Sequence, residues 1–183
     1  MASKDDTLIK NILNICDACI ISQETDDFSH AHKVARKLLN EFSKKNHLFI
    51  RDIYLINSIF FVFPIETAHL TMRYIESSIE KYRDFKEINL LIINLRMNYI
   101  LMLMKEKLEK EALAEIEKVL PLVKKYKISL YLGVIYIRKG ICLHNIKIAS
   151  ETDFIQKGST LLEILEEFQM LELAQKEIEK YKR

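Results

Sequence analysis

The sequence predicts an all-α protein, arranged as an array of about nine antiparallel helices in four pairs plus a C-terminal helix. Glycine and proline, which punctuate turn-rich β proteins, number only three and two in 183 residues. Long stretches of Leu, Ile, Glu, Lys and Ala favour helix instead. Related segments also recur, "AHKVARKLLNEF" from Ala31, "AHLTMRYIESSI" from Ala68 and "EALAEIEKVLPLV" from Glu111. Helix-pair spacing of about 37 to 44 residues indicates a repeat array.

The first four helices follow from apolar periodicity and from the residues that interrupt it. Asp26 and Asp27 are candidate N-caps of the second helix. Pro64 suits the first turn of the fourth helix, because its missing N–H has no helical partner there. The predicted ranges are 5–22, 27–45, 48–63 and 65–83.

The fifth helix, 85–105, is apolar almost all the way round, but polar side chains interrupt it and argue against a membrane span. The sixth covers 108–125. In the seventh, 128–147, we expect Gly133 and Gly140 to permit close helix packing, since glycine otherwise costs about 1 kcal/mol relative to alanine. Ser150 or Thr152 can cap the eighth, 151–168, and the ninth is 170–182.

Charge and cysteine content narrow the function classes. A net charge of +2 is far from the strongly basic balance of a domain that grips nucleic acid directly. Because segment 1–7 is polar and acidic, we expect no signal peptide there. Three cysteines without a secretory signal suggest reduced thiols, so we expect a cytoplasmic protein without a membrane partner.

Two segments resemble tetratricopeptide repeats. "NLRMNYILML" followed by "KEALAEIEKVLPLV" has the Asn-Leu-x-x-x-Tyr, Ala and Pro positions, although Arg96 stands where glycine is usual. "SLYLGVIYIRKGICL" keeps Leu132, Gly133 and Tyr136. The resemblance implies a degenerate tetratricopeptide-like array over the whole chain, 1–183, as a single domain.

Four segments along the chain resemble one family of transcriptional regulators. "IRDIYLINSIFFVF", "IESSIEKYRDF", "LIINLRMNYILMLM" and "LLEILEEFQMLELA" look like the C-terminal regulatory domain of the Rgg/GadR/MutR family. That likeness implies a cytosolic Gram-positive bacterial regulator whose repeat domain dimerises and often senses a short signalling peptide, as in quorum sensing. It also implies that DNA is bound only through an N-terminal helix-turn-helix domain, which we expect to be absent from this chain.

Asparagines in the first helices of the pairs are candidate peptide-binding residues. Asn94 and Asn98, four residues apart, share one helix face, and we expect Asn57, which precedes Asn94 by 37 residues, to be the counterpart of Asn94 in the preceding pair. Such amides can hydrogen-bond an extended peptide backbone, or they can satisfy helix–helix contacts. Arg51, Arg96 and Arg138 also fall in first helices, where a guanidinium can pair with a peptide carboxylate or extend to solvent. Arg96 lies on a different face from the two amides.

Metal and catalytic patterns are weak, so we expect no enzyme, cofactor or metal site. Cys16-x2-Cys19 and His30-x-His32 have workable zinc spacing, but each pair falls within a helix and packing is the better interpretation. No pairing of nucleophile and base is evident. We interpret the group Met97, Met102 and Met104 as core rather than as an adaptable binding surface.

The C-terminal helices carry two apolar stripes. Leu161, Leu165 and Phe168 form one; Leu171, Ala174, Ile178 and Tyr181 form the other. One stripe must pack on the preceding pair, and the other can serve a two-fold interface, for which we favour the second. The alternative is a monomer capped by the ninth helix. We therefore expect an effector-sensing and dimerisation domain of an Rgg-like regulator that binds a short signalling peptide in a concave groove. The alternative is a standalone scaffold that binds a protein segment.

Overall fold

The computed structural model describes residues 4–25, 27–82, 86–148 and 151–183. Within them it contains α-helices, two short 3-10 segments and no strand, which confirms the all-α prediction. The helices are α1 (Lys4–Thr25), α2 (Ser29–Phe42), α3 (Ile50–Ile59), α4 (Ile65–Ile79), α5 (Lys86–Lys105), α6 (Glu109–Lys125), α7 (Ser129–Asn145), α8 (Glu151–Ile164) and α9 (Phe168–Tyr181). The 3-10 segments, Phe60–Val62 and Glu80–Tyr82, extend α3 and α4.

Two compact units divide the chain, Met1–Leu95 and Arg96–Arg183, with the boundary inside the continuous helix α5. In the first unit, α1 and α3 pack with α2, whose buried stripe is Ala31, Val34, Ala35, Leu38 and Phe42. These side chains stand at positions i, i+3, i+4, i+7 and i+11, which lie on one helix face, so local sequence spacing alone produces this packing surface.

The N-cap of α2 is Phe28, one residue after the predicted candidate Asp27, but the Asp27 side chain still bonds the first residue of the helix. The Asp27 carboxylate accepts hydrogen bonds from the Ser29 backbone N–H at 2.8 Å and from Ser29 Oγ at 2.9 Å, just before α2 begins. These bonds lower the pKa of Asp27, since they stabilise its charged form. Pro64 directly precedes α4. The cap candidates Asp26 and Ser150 lie outside the described residues, as does the side chain of Thr152.

The second unit is a regular series of helices joined by one kind of turn. Lys107, Lys127, Lys147 and Glu166 each follow a helix with positive φ, between 55° and 62°. The next residue donates its N–H back to the helix: Leu108 to Leu103 O, Ile128 to Val123 O, Ile148 to Leu143 O and Glu167 to Leu162 O, at 2.9–3.1 Å. This is the Schellman cap, which satisfies carbonyls at a helix end. The turn at Glu166 ends α8 at Ile164. As a consequence, α9 begins earlier than the sequence predicted.

Two glycines bring α7 and α8 together. A Cβ atom at Gly133 would meet the Leu162 side chain at 2.8 Å, and one at Gly158 would meet Gly133 O at 2.5 Å. The predicted role of Gly133 in close packing is confirmed, and Gly158 is the partner that sequence reasoning missed. Gly140 is buried in the same helix α7.

The long apolar helix α5 behaves as a core helix. Its segment Glu87–Lys105 has the length and composition of a membrane span, but 56% of it is buried inside the fold. Met97, Met102 and Met104 are all buried, which confirms their interpretation as core. This burial is consistent with a soluble protein.

Candidate functional site

The second unit has a cleft of about 410 Å³ on its odd-numbered helices. Helices α5 and α7, which are the first members of their pairs, line it together with α9. We call it the α9 cleft. Its lining consists of Leu101, Lys105, Val134, Arg138, Met170, Leu173, Ala174, Lys176, Glu177, Lys180 and Tyr181.

Apolar side chains provide one part of this surface. Leu101 is half-buried and Val134 is buried, whereas Leu173 is 53% exposed. An apolar ligand side chain that covers Leu173 would therefore remove apolar surface from water, which is favourable. Binding sites for small ligands and peptides commonly combine such surface with a few polar groups that fix orientation.

An ion pair crosses the cleft. Arg138 donates from Nε to Glu177 Oε2 at 2.8 Å and from Nη2 to Glu177 Oε1 at 2.7 Å. Its Nη1 donates to Met97 O at 2.7 Å, and the arginine as a whole is buried. This two-bond geometry holds a buried guanidinium with its charge compensated. The predicted binding residue Arg138 thus lies in the cleft, where it joins α7 to α9.

Positive charge remains after Arg138 and Glu177 compensate each other. Lys176 pairs with Glu172 at 2.7 Å on the exposed side of α9. Burial lowers the pKa of Lys105, and the positive charges of Lys180 and Arg138 lower it further. The negative charges of Glu177 and Glu106 raise this pKa, but their effect is smaller. Lys105 and Lys180 both line the α9 cleft, where their like charges oppose each other.

An anionic group between Lys105 and Lys180 would relieve this repulsion and gain charge-assisted hydrogen bonds. The α9 cleft therefore has the chemistry to hold a carboxylate beside an apolar side chain. Sequence reasoning missed both lysines. The available signal is that each stands in the last turn of an odd-numbered helix, Lys105 at the end of a long apolar run.

The other predicted binding residues of the second unit divide between two faces of α5. Asn98 precedes Leu101 by three residues and Lys105 by seven, so helix geometry places it on the cleft-lining face. It is half-buried and already has a partner within the chain. Arg96 instead forms an ion pair with Glu115 of α6, which Lys118 also contacts at 2.5 Å.

Three predicted binding residues lie in the first unit. Arg51 is exposed, and its guanidinium lies 5.5 Å from the centre of the Phe49 ring. It borders a separate pocket of about 320 Å³, in which Lys45 pairs with the buried Asp52 at 2.9 Å. Asn57 and Asn94 are half-buried, and each has an interaction partner within the chain.

The predicted interface stripe on α9 largely faces the unit itself. Ala174 and Tyr181 are 2% and 7% exposed, and Asn145 Nδ2 donates to Tyr181 O at 2.8 Å. Leu171 and Ile178 are half-buried. At the α8–α9 turn, Phe168 is 64% exposed, and Leu165 is exposed as well. Of the two C-terminal stripes, the one on α9 is thus the one that packs on the preceding helices.

Comparison with known proteins adds no assignment: the chain matches no protein family, no curated protein and no solved structure.

Among the described residues, no three His, Cys, Asp or Glu side chains converge as a metal site would require. Cys16 and Cys19 lie on α1, whereas His30 and His32 lie on α2.

Proposed function

We propose that this chain is the effector-sensing and dimerisation domain of an Rgg/MutR-like cytoplasmic regulator, and that the α9 cleft binds a short peptide by its C-terminal carboxylate. The juxtaposition of Lys105 and Lys180 beside apolar surface carries the peptide-binding part. The regulator part is supported by the family resemblance of the sequence. Ligand binding would act by favouring one arrangement of the protein over another.

The chemistry of the cleft defines the ligand. A peptide with a free C-terminal carboxylate and an apolar last side chain meets both features at once, with the carboxylate between the two ammonium groups and the side chain against Leu173. Asn98 is on the same face of α5 as Leu101 and Lys105, and in the proposed complex it hydrogen-bonds the peptide backbone. An internal protein segment has no terminal carboxylate. A scaffold that binds such a segment should therefore not prefer a peptide with a free C-terminal carboxylate.

Matched peptides test this proposal. Short labelled peptides ending in an apolar residue are titrated as the free acid and as the amide, with binding followed by fluorescence anisotropy. We expect amidation to weaken binding about tenfold, or ~1.4 kcal/mol, the scale of one hydrogen bond to a charged group. Equal binding of acid and amide would favour the scaffold function.

Lysine variants locate the site. Lys105→Met and Lys180→Met should each reduce the preference for the free acid, while Lys110→Met on α6 serves as the exposed control. Asn98→Ala should weaken both peptide forms by about 0.5–1.5 kcal/mol, the scale of one neutral hydrogen bond. A preference that survives both lysine changes would place the carboxylate elsewhere.

The proposal also predicts how this chain behaves toward DNA. With a net charge of +2, the chain has too little excess positive charge for strong phosphate binding. In a mobility-shift assay at physiological salt, we expect no nanomolar, sequence-dependent binding of duplex DNA. Such binding would assign DNA recognition to this chain itself.

A further inference from the structure

Helix α1 buries one face in the first unit and exposes an apolar stripe on the opposite face. Its inner face packs on α2 and α3 through Asn11, Ile15, Ala18 and Ser22, which are at most 6% exposed. Asn11 Nδ2 donates to Glu41 Oε2 on α2 at 3.0 Å, which anchors this side. A surface helix normally has large apolar side chains on its buried face and polar ones on its exposed face.

The outer face carries Ile9, Leu13, Cys16 and Ile20, about 160° around the helix from the inner face. The three large side chains are 56%, 58% and 50% exposed, and Cys16 is also exposed. Successive separations of four, three and four residues are those of a coiled-coil seam. The local sequence is therefore patterned to meet another helix along this line.

The edges of the seam differ from each other. One edge carries the exposed charges Lys10, Asp17 and Glu24, whereas the other carries Ile12 and Cys19. When two identical helices pair antiparallel across a two-fold axis, each edge meets the same edge of the other copy. Polar then meets polar, and apolar meets apolar. A parallel pair would instead set Asp17 against Ile12 and bury charge beside an apolar side chain, which is costly.

We propose that the outer face of α1 is the homodimer interface, where two copies pair antiparallel with Leu13 of each opposite Cys16 of the other. In this register Ile9 packs near Ile20, and Lys10 of each copy lies beside Asp17 of the other. The surface is thus complementary to itself in both shape pattern and charge. The inference rests on the proposed dimerisation and not on the peptide site.

Sedimentation at rising protein concentration tests the surface. We expect the wild-type chain to be a dimer at about 100 µM, since a seam of this length suits a weak, transient interface. Leu13→Asp should yield a folded monomer, because Leu13 is exposed within its own chain. The matched control is Leu70→Asp on α4, which changes an apolar side chain that is 66% exposed and not on α1; it should leave the dimer intact.

Oxidative cross-linking tests the orientation. In the antiparallel register, Leu13→Cys should form a covalent dimer with the native Cys16, and adding Cys16→Ser should abolish it. Efficient wild-type cross-linking through Cys16 alone would indicate a parallel pair and overturn the register. A wild-type monomer at 100 µM would overturn dimerisation itself without touching the peptide results. A dimer sensitive to Ile178→Glu but not to Leu13→Asp would move the interface to α9.

Discussion

Gly158 of α8 lies directly against the backbone of Gly133 in α7. A Cβ atom on Gly158 would be 2.5 Å from Gly133 O and 3.0 Å from Ile137 N, so the obstacle is backbone as well as side chain. A Cβ atom on Gly133 would instead meet mainly the end of the Leu162 side chain, at 2.8 Å. The two positions therefore differ in how readily a neighbour can move aside.

Alanine at these glycines should destabilise the protein to different degrees. Alanine normally gains about 1 kcal/mol over glycine in a helix. We expect Gly158→Ala nonetheless to lower the free energy of unfolding by about 2–3 kcal/mol, the scale of overpacking. Gly133→Ala should cost less, because a side chain can rotate where a backbone cannot. Urea denaturation checks the order, and a stabilised Gly158→Ala variant would contradict the close approach.

The ion pair between Arg138 and Glu177 should matter for stability. Glu177→Gln leaves the buried guanidinium without a countercharge, so we expect the free energy of unfolding to fall by about 3 kcal/mol. Arg138→Met combined with Glu177→Leu removes both charges and should recover most of that loss. Glu172→Gln, which disrupts an exposed pair, is the control and should leave the urea midpoint unchanged. A Glu177→Gln variant as stable as the wild type would show that solvent already compensates Arg138.

The turn residue Lys127 has a conformation that suits glycine better. Its φ is 55°, in the left-handed region where an L side chain costs about 1 kcal/mol. Lys127→Gly should therefore raise the free energy of unfolding by about that amount. Ala114→Gly on the exposed face of α6 is the control and should lower it by about 1 kcal/mol. Thermal denaturation should move in opposite directions for these variants, and a destabilised Lys127→Gly would contradict the cap.

The Cys142 thiol should stay protonated and unreactive in the folded protein. Burial raises its pKa from 9.0 to about 12; Glu109 also raises it, and Arg138 acts in the opposite direction. At neutral pH, a thiol reagent should modify the exposed Cys16 and spare Cys142 until the protein unfolds. Mass spectrometry of the labelled chain measures this. Rapid labelling of Cys142 in the native state would show that its site opens readily.

The same pKa implies a pH dependence with a definite sign. Well below pH 9 the Cys142 thiol is neutral in both states and contributes no pH dependence to stability. From about 9 to about 12 the unfolded chain loses this proton while the folded chain keeps it, so stability falls as pH rises. The slope is at most about 1.4 kcal/mol per pH unit. Cys142→Ala should flatten this part of the profile, and an unchanged slope would exclude Cys142 as its cause.

The sequence by itself determined the helices of this protein. Helical hydrogen bonds join residues four apart, so apolar spacing and breakers were enough to place α1 to α9 within a few residues. The Met97, Met102 and Met104 core followed from the same local pattern. The end of α8 did not, because Glu166 adopts a positive φ that its residue type does not announce.

Only the tertiary structure decided which distant side chains meet. In an unfolded chain, Arg138 could meet many different carboxylates. In the fold it pairs with Glu177, because α9 packs against α7. The approach of Gly158 to Gly133, and the position of Lys105 and Lys180 in the lining of one cleft, likewise depend on how helices are placed side by side. Such placement comes from the packing of whole apolar faces, and no local spacing in the sequence encodes it.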